Sequence, residues 1–336
     1  MISKDEIQNS HPVIHKISSS ITFSDRFVHF MARWGINRSK HRVQPGLYAL
    51  NNPAPDSPVF VTSNYTLSFD ALRSNLAKID SYILVLDTRG INVWCAAGKG
   101  TFGTDELVYR IEVTGLNEII NHRKLILPQL GAPGVAAHEV KKRSGFNVEY
   151  GPVRAADLQE YLKTHKATRE MRQVQFKLRD RLILVPVELV GVLIPIIIAA
   201  VILFFISGIV PAFAAVTAIL AGVVLFPVLL PWIPTPNFST KGLFLSGIIA
   251  LLFAVFTILS NPDTEVWKKA GWILIYLLTL PPVTAFLSLN FTGATTFTSR
   301  SGVKREIFKY IPVMAWMFGG GIVLSITFLL ISVLGG

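Results

Sequence analysis

The chain contains one cysteine, Cys95, within the stretch Asn92-Val93-Trp94-Cys95-Ala96-Ala97-Gly98-Lys99. Asn92 is a good N-cap and Gly98 a good helix stop, so the residues between them should form little more than one helical turn, with Cys95 at its third position. There the free backbone amides and the positive end of the helix favour a thiolate, and Arg89 and Lys99 act in the same direction. A thiolate so placed can be a nucleophile, a redox sensor or a metal ligand. The alternative is a buried structural cysteine. Two features weigh against that alternative: glycines rather than a long apolar run flank the helix, and a turn at the end of a strand more often carries function than core packing.

A single thiol excludes an intrachain disulfide, a CxxC zinc site and a self-contained iron–sulfur cluster. Gly98-Lys99-Gly100-Thr101-Phe102-Gly103 fits the pattern GxGxxG, but it follows a helical turn instead of leaving a strand, the wrong geometry for a pyrophosphate. The same stretch fails the P-loop spacing, because Gly90 lies too far upstream and Gly100 stands where Ser or Thr is needed. The seven histidines are scattered without paired metal spacing, and no Asp-x-His-x-x-Gly occurs, so a histidine-ligated cobalamin site of the common kind is absent.

The elements that must position Cys95 lie between residues 58 and 163, where β-branched runs alternate with helix-like stretches as in a βαβ sheet domain. Strands are expected at 58–63, 82–87, 124–127 and 147–150, and helices at 68–77, 93–97, from 104, at 135–144 and at 155–162. The expectation is a small Rossmann-like α/β domain with its ligand site outside the carboxyl ends of the strands. Residues 1–57 show no clear periodic element and read as a mobile or wrapping arm.

The rest of the chain has another character. Residues 1–181 carry 25 Lys and Arg against 17 Asp and Glu, whereas 182–336 carry only 7 against 4. Five apolar segments, 187–207, 209–231, 242–260, 270–289 and 311–334, are long enough to cross a bilayer, so 187–336 reads as a transmembrane domain. A very tight turn joins the first two, which would be a re-entrant pair if 207–211 stops short of the far interface. Pro281-Pro282 should kink or end the fourth span. The linker 164–186 is basic and suits anionic headgroups better than nucleic acid, since no aromatic-interleaved basic motif accompanies it. No apolar run of signal-peptide length precedes Pro58, so the first half is expected to stay in the cytoplasm. The Lys and Arg count of the connecting loops then sets the topology as N-in, C-out in the inner membrane, with the hydroxyl-rich loop 290–310 facing the soluble domain's compartment.

The octapeptide Asn92 to Lys99 resembles the cap-helix signature of the membrane corrinoid protein of microbial mercury methylation, the HgcA family. The resemblance continues through Val61-Thr62-Ser63-Asn64-Tyr65, through Leu127-Pro128-Gln129-Leu130-Gly131-Ala132-Pro133-Gly134-Val135, through Gly151-Pro152-Val153-Arg154-Ala155 and into the five spans. The soluble part is also similar to the corrinoid-binding domain of the large subunit of the corrinoid iron–sulfur protein, without its cluster cysteines. The resemblance implies that Cys95 is the lower axial ligand of cobalt in a base-off cobamide whose nucleotide tail lies in the sheet domain. It implies transfer of a methyl group, formally a carbanion, from the Cys-ligated methylcobamide to Hg(II), giving methylmercury. Axial-ligand identity is a main lever on such a centre. In this reading Asn92 caps the helix, Val93 and Trp94 pack in the core or on the macrocycle, Ala96, Ala97 and Gly98 let backbone approach a flat cofactor, and Lys99 meets a corrin amide or solvent. Thr62, Gly131 and Arg154 are further candidate cofactor contacts at strand ends. The implied partners are a ferredoxin-like iron–sulfur reductase and a folate-dependent methyl donor system. Two other functions compete: a membrane-anchored one-carbon carrier for another acceptor, and a membrane transporter with a cytoplasmic regulatory domain. Against the transporter, Glu188 is the one ionisable residue of the five segments and lies near a span's start.

Overall fold

Runs of apolar residues on both sides of a strand demand cover on both faces, and the first half of the chain supplies it. A computed structural model describes residues 13–37, 40–294 and 300–334. The chain divides into two compact units, Met1–Gln175 and Phe176–Gly336.

In the first unit six strands, β1 (Ile14–Ile17), β2 (Gly46–Leu50), β3 (Val59–Ser63), β4 (Ser81–Leu86), β5 (Lys124–Leu127) and β6 (Asn147–Tyr150), form one sheet in the order β1-β2-β4-β3-β5-β6. Strands β4, β3, β5 and β6 are parallel; β2 pairs antiparallel with β4, and β1 parallel with β2. Side chains alternate between the faces. Val59, Val61, Leu84 and Leu86 join one core with residues of α3 (Val93–Lys99), α4 (Thr104–Val113) and α6 (Ala137–Ser144), the short α5 (Leu116–Ile119) lying between. Phe60, Ile83 and Val85 join the other with residues of α2 (Thr66–Asn75) and α7 (Leu158–Thr164). The chain goes from β3 to β4 on one side, then crosses back to place β5 on the other side of β3. The carboxyl ends of β3 and β5 therefore form a topological switch point, where open α/β sheets bind ligands.

The α/β fold agrees with the expectation from sequence, but the reading of residues 1–57 as an arm needs correction. Within its described part lie β1, the helix α1 (Phe23–Arg33) and β2, and every residue of β2 is buried. Five residues buried on both faces show no alternation, which is why β2 escapes a periodicity search. Helix α1 does carry a start signal, the capping box in which Thr22 and Asp25 each bond the other's backbone amide.

Among the described residues, the second unit holds five helices long and apolar enough to cross a membrane, Leu178–Ser207, Ile209–Leu229, Phe238–Ser260, Val266–Asn290 and Ser301–Ile331. The second is long enough by itself, at 21 residues, and Gly208, at φ +89°, makes the turn before it. Pro281-Pro282 does not end the fourth: both prolines are buried and its helix continues to Asn290. Packing replaces what the missing N–H groups would give, with Gly242 so close to this helix that a Cβ would sit 2.5 Å from the Ala285 Cα, and with Thr284 Oγ1 donating to Ala218 O across helices at 2.7 Å. Of the supposed loop 290–310, residues Phe291–Ala294 form a 3₁₀ turn and the last long helix runs from Arg300 to Leu334, while 295–299 lie outside the described residues. The carboxylate of Glu306, buried, accepts from the amides of Phe238 and Ser239 at 3.3 and 3.1 Å and so caps the third helix.

Candidate functional site

Helix α3 starts at the end of β4 and is held there by one buried side chain. Asn64, 1% exposed at the end of β3, accepts through Oδ1 from the Thr88 amide (3.1 Å) and the Gly90 amide (2.9 Å). Its Nδ2 donates to Asp87 Oδ1 at 3.0 Å. The bonded turn contains Arg89 and Gly90 at φ +59° and +74°, two consecutive left-handed residues, and reverses the chain between β4 and α3. Asn92 then caps the helix, its Oδ1 accepting from the Cys95 amide at 2.9 Å.

Within α3, Val93, Ala96 and Ala97 are buried against the sheet at i, i+3, i+4 spacing. Cys95 lies on the opposite side of the helix by the same periodicity, at intermediate exposure, in line with Asn92 one turn before it and the exposed Lys99 one turn after. The helix is longer than the sequence suggests. It passes through Gly98, and Gly100, at φ +83°, ends it: a second glycine two residues on takes the left-handed stop.

Beneath α3 the packing is too close for any side chain at two positions. A Cβ on Gly134 would meet Phe102 O at 2.1 Å and Ala97 Cα at 2.9 Å, and one on Gly131 would meet Phe102 Cε1 at 2.6 Å. The buried Phe102 ring and the 128–135 loop thus form the floor on which α3 rests. Tyr150 anchors this loop by donating to Val135 O at 2.6 Å, and burial pushes its phenol above the usual tyrosine range.

Beside the helix, at the switch point, lies a cavity of about 330 Å³. Thr62 of β3, Leu127 of β5, Asn92 and Trp94 of α3, and Val153 and Ala155 after β6 are among the side chains that line it. Thr62 and Trp94 thus line the same cavity. Gly131 stands apart as part of the floor, and Arg154 is an exposed residue between two cavity-lining ones. The sequence reading missed Asn64, Phe102 and Gly134. Asn64 and Gly134 lie inside the motifs quoted above, but their roles depend on partners distant in the chain.

Part of this unit is similar to known proteins. Residues 35–162 match the family model described as CO dehydrogenase/acetyl-CoA synthase delta subunit. The acetyl-CoA decarbonylase/synthase complex subunit gamma of Archaeoglobus fulgidus is 33% identical over 135 residues, 40% of this chain and 28% of that one. The same subunit of Methanopyrus kandleri is 33% identical over 128 residues, 38% and 27% of the two chains. The corrinoid/iron-sulfur protein large subunit of Moorella thermoacetica is 26% identical over 129 residues, 38% and 28%. The chain thus spans little more than a quarter of these relatives' length. The shared part contains the whole site: β3, the Asn64 turn, α3, the floor and the cavity.

Proposed function

We propose that the sheet domain, within which 58–163 carries the site, binds a corrinoid over the outward side of α3, with Cys95 as the protein's donor to cobalt. One observation carries this reading: a part-exposed thiol on a capped helix at the switch point, beside a cavity of about 330 Å³, in a segment similar to a corrinoid/iron-sulfur protein. The donor set fits such a group. Among the described residues no cluster of three or more His, Cys, Asp or Glu is placed to hold a bare metal ion. A macrocycle already fills most coordination positions and needs one protein donor, which a single thiolate provides. Bound cobamide would supply a cobalt centre able to carry a methyl group and give it up.

The chain's own residues then have distinct tasks. Asn92 spends its side chain on the Cys95 amide and holds the thiol's backbone still. Ala96 and Ala97 anchor the helix, and the exposed Gly98 leaves room for a flat ligand over its far side. Thr62, Trp94 and Val153 line the space that would take the nucleotide tail. Lys99 and Arg154 are placed for polar groups at the corrin's edge. The acceptor we propose is Hg(II), a soft cation suited to a methyl carbanion, because the Asn92 to Lys99 octapeptide and the five spans occur together as in the mercury-methylating family. A ferredoxin-type donor would have to deliver two electrons, one at a time, to restore the cobalt, since a chain with one cysteine holds no cluster of its own. A folate-linked methyl source completes the cycle, the sheet domain lying on the cytoplasmic side with 164–186 as its basic linker to the inner membrane. The relatives' names favour a second acceptor, a partner subunit of a multi-enzyme complex, for the same carrier.

The test is the absorption spectrum of the full chain in detergent, reconstituted anaerobically with cobalamin, beside Cys95→Ala. A base-off, thiolate-ligated spectrum in the wild type and its loss in the variant are expected. Identical spectra would remove Cys95 as the ligand. Methyl transfer to Hg(II) with a reduced ferredoxin present then separates the two acceptors.

A further inference from the structure

Helix α1 has one side bound to its own domain and another that is exposed among the described residues. Inward, His29 Nε2 meets Asp70 Oδ2 at 2.7 Å, Arg73 Nη2 donates to Asp25 Oδ2 at 2.9 Å, and Ala32 is buried. Outward, Phe23, Phe27 and Phe30 are 86%, 57% and 51% exposed. Their spacing of four and three continues to Trp34, whose ring centroid lies 5.6 Å from that of Phe30. Ile36, two residues after Trp34, adds exposed apolar surface, and Arg26 and Arg33, both exposed, flank the stripe on one edge. Four aromatic rings in line is more apolar surface than a domain left in water presents without use.

We propose that this stripe lies in the headgroup region of the bilayer into which the chain's own helices insert. Three observations select lipid as the occupant. The first apolar helix begins at Leu178, three residues after the sheet unit ends at Gln175, so the unit is tethered at the membrane surface. The stripe has the composition of an interfacial helix, large aromatics on one side and arginines at the rim, whose stems reach along the apolar surface while their charges meet phosphates. Residues 163–179, which end the first unit and begin the second, carry Lys163, Lys166, Arg169, Arg172, Lys177 and Arg179, so the leaflet that attracts this stretch also attracts Arg26 and Arg33.

Because Cys95 is the sole cysteine, Cys95→Ala gives a cysteine-free chain in which a nitroxide can be placed at will. The full chain is assembled in nanodiscs of phosphatidylcholine and phosphatidylglycerol with the label at Phe27→Cys or, as an exposed control on α7, at Glu160→Cys. Collision rates with dissolved oxygen and with a water-soluble nickel chelate are then measured. The expected result is an oxygen-to-nickel ratio several-fold higher at position 27 than at 160. Equal ratios would overturn the proposal by placing the stripe in water. A label at 27 shielded from both reagents would also overturn it, assigning the stripe to a protein partner. Both positions are exposed, so neither label disturbs the fold, and the outcome does not depend on cofactor binding.

Discussion

Replacing Asn64 by leucine keeps the side chain's approximate size and removes every polar bond it makes. Of the groups it serves, the Thr88 hydroxyl can turn its single proton to Ile91 O, 2.6 Å away, and is not stranded. The amides of Thr88 and Gly90 have no such choice and would be left facing a hydrocarbon side chain. A donor stranded in the interior costs about 1–3 kcal/mol; the buried Thr88 amide bears this in full and the part-buried Gly90 amide a smaller share, together roughly 2–5 kcal/mol. At about 2–4 °C per kcal/mol for a domain of this size, the melting temperature should fall by roughly 5–20 °C. The loss should also be local, because the two amides belong to the turn that launches α3. Hydrogen exchange of the full chain in detergent is the assay. Amides of 88–99 in Asn64→Leu should exchange much faster than in wild type, while β5 and β6 change little. Unchanged protection of 88–99 with an unchanged melting temperature would refute the view that Asn64 holds the helix that carries Cys95.

Two further perturbations test the cavity and the placement of α1. Ala155→Phe should fill much of the 330 Å³ space beside Trp94, so the variant should lose affinity for cobalamin by tenfold or more while still binding cobinamide, which lacks the nucleotide tail; equal loss of both would show that the cavity does not hold the tail. Burial would raise the Asp25 carboxyl, but hydrogen bonds from the Thr22 amide and hydroxyl and from Arg73 outweigh it and hold the group below the ordinary carboxylate range. A group depressed in the folded state stabilises above its unfolded value near 4 and loses that contribution as pH falls through the folded value. Acid titration followed by exchange of α1 amides should therefore release α1 as the pH drops below about 4, and Asp25→Asn should weaken its docking at neutral pH and flatten the acid dependence; a variant with the wild-type acid profile would refute this.

The parts of the fold that were legible in the sequence are those written in local pattern. Strand β5 was placed at its observed bounds because Lys124-Leu-Ile-Leu is a short apolar run between turn residues, and α4 because Gly103-Thr104 opens an amphipathic stretch with acids in its first turn. The same reading failed at β2, buried on both faces; of the two outcomes it allowed at Pro281-Pro282, a kink or an end, the helix running on to Asn290 removes the end. Buried among other helices, a proline pair is held by its neighbours, and no window of sequence contains those neighbours.

The site divides along the same line, and the division bears on how it works. The Asn92 cap on the Cys95 amide was legible in the sequence because the two residues stand three apart and bond directly. Asn64, Phe102 and Gly134 were not, because each acts across 24 or more residues or through a contact that only the folded chain creates. Yet these distant residues decide where the thiol is. The floor under Ala97 excludes even a methyl group, the Asn64 turn fixes the helix start, and α3 between them has no freedom to sink or tilt. A soft donor held this firmly can meet a metal at one height above the sheet. A bare ion would gather ligands by letting loops close around it, whereas a rigid macrocycle brings its own plane and requires the protein to come to it. The close packing around α3 is the arrangement that the proposed macrocycle would call for.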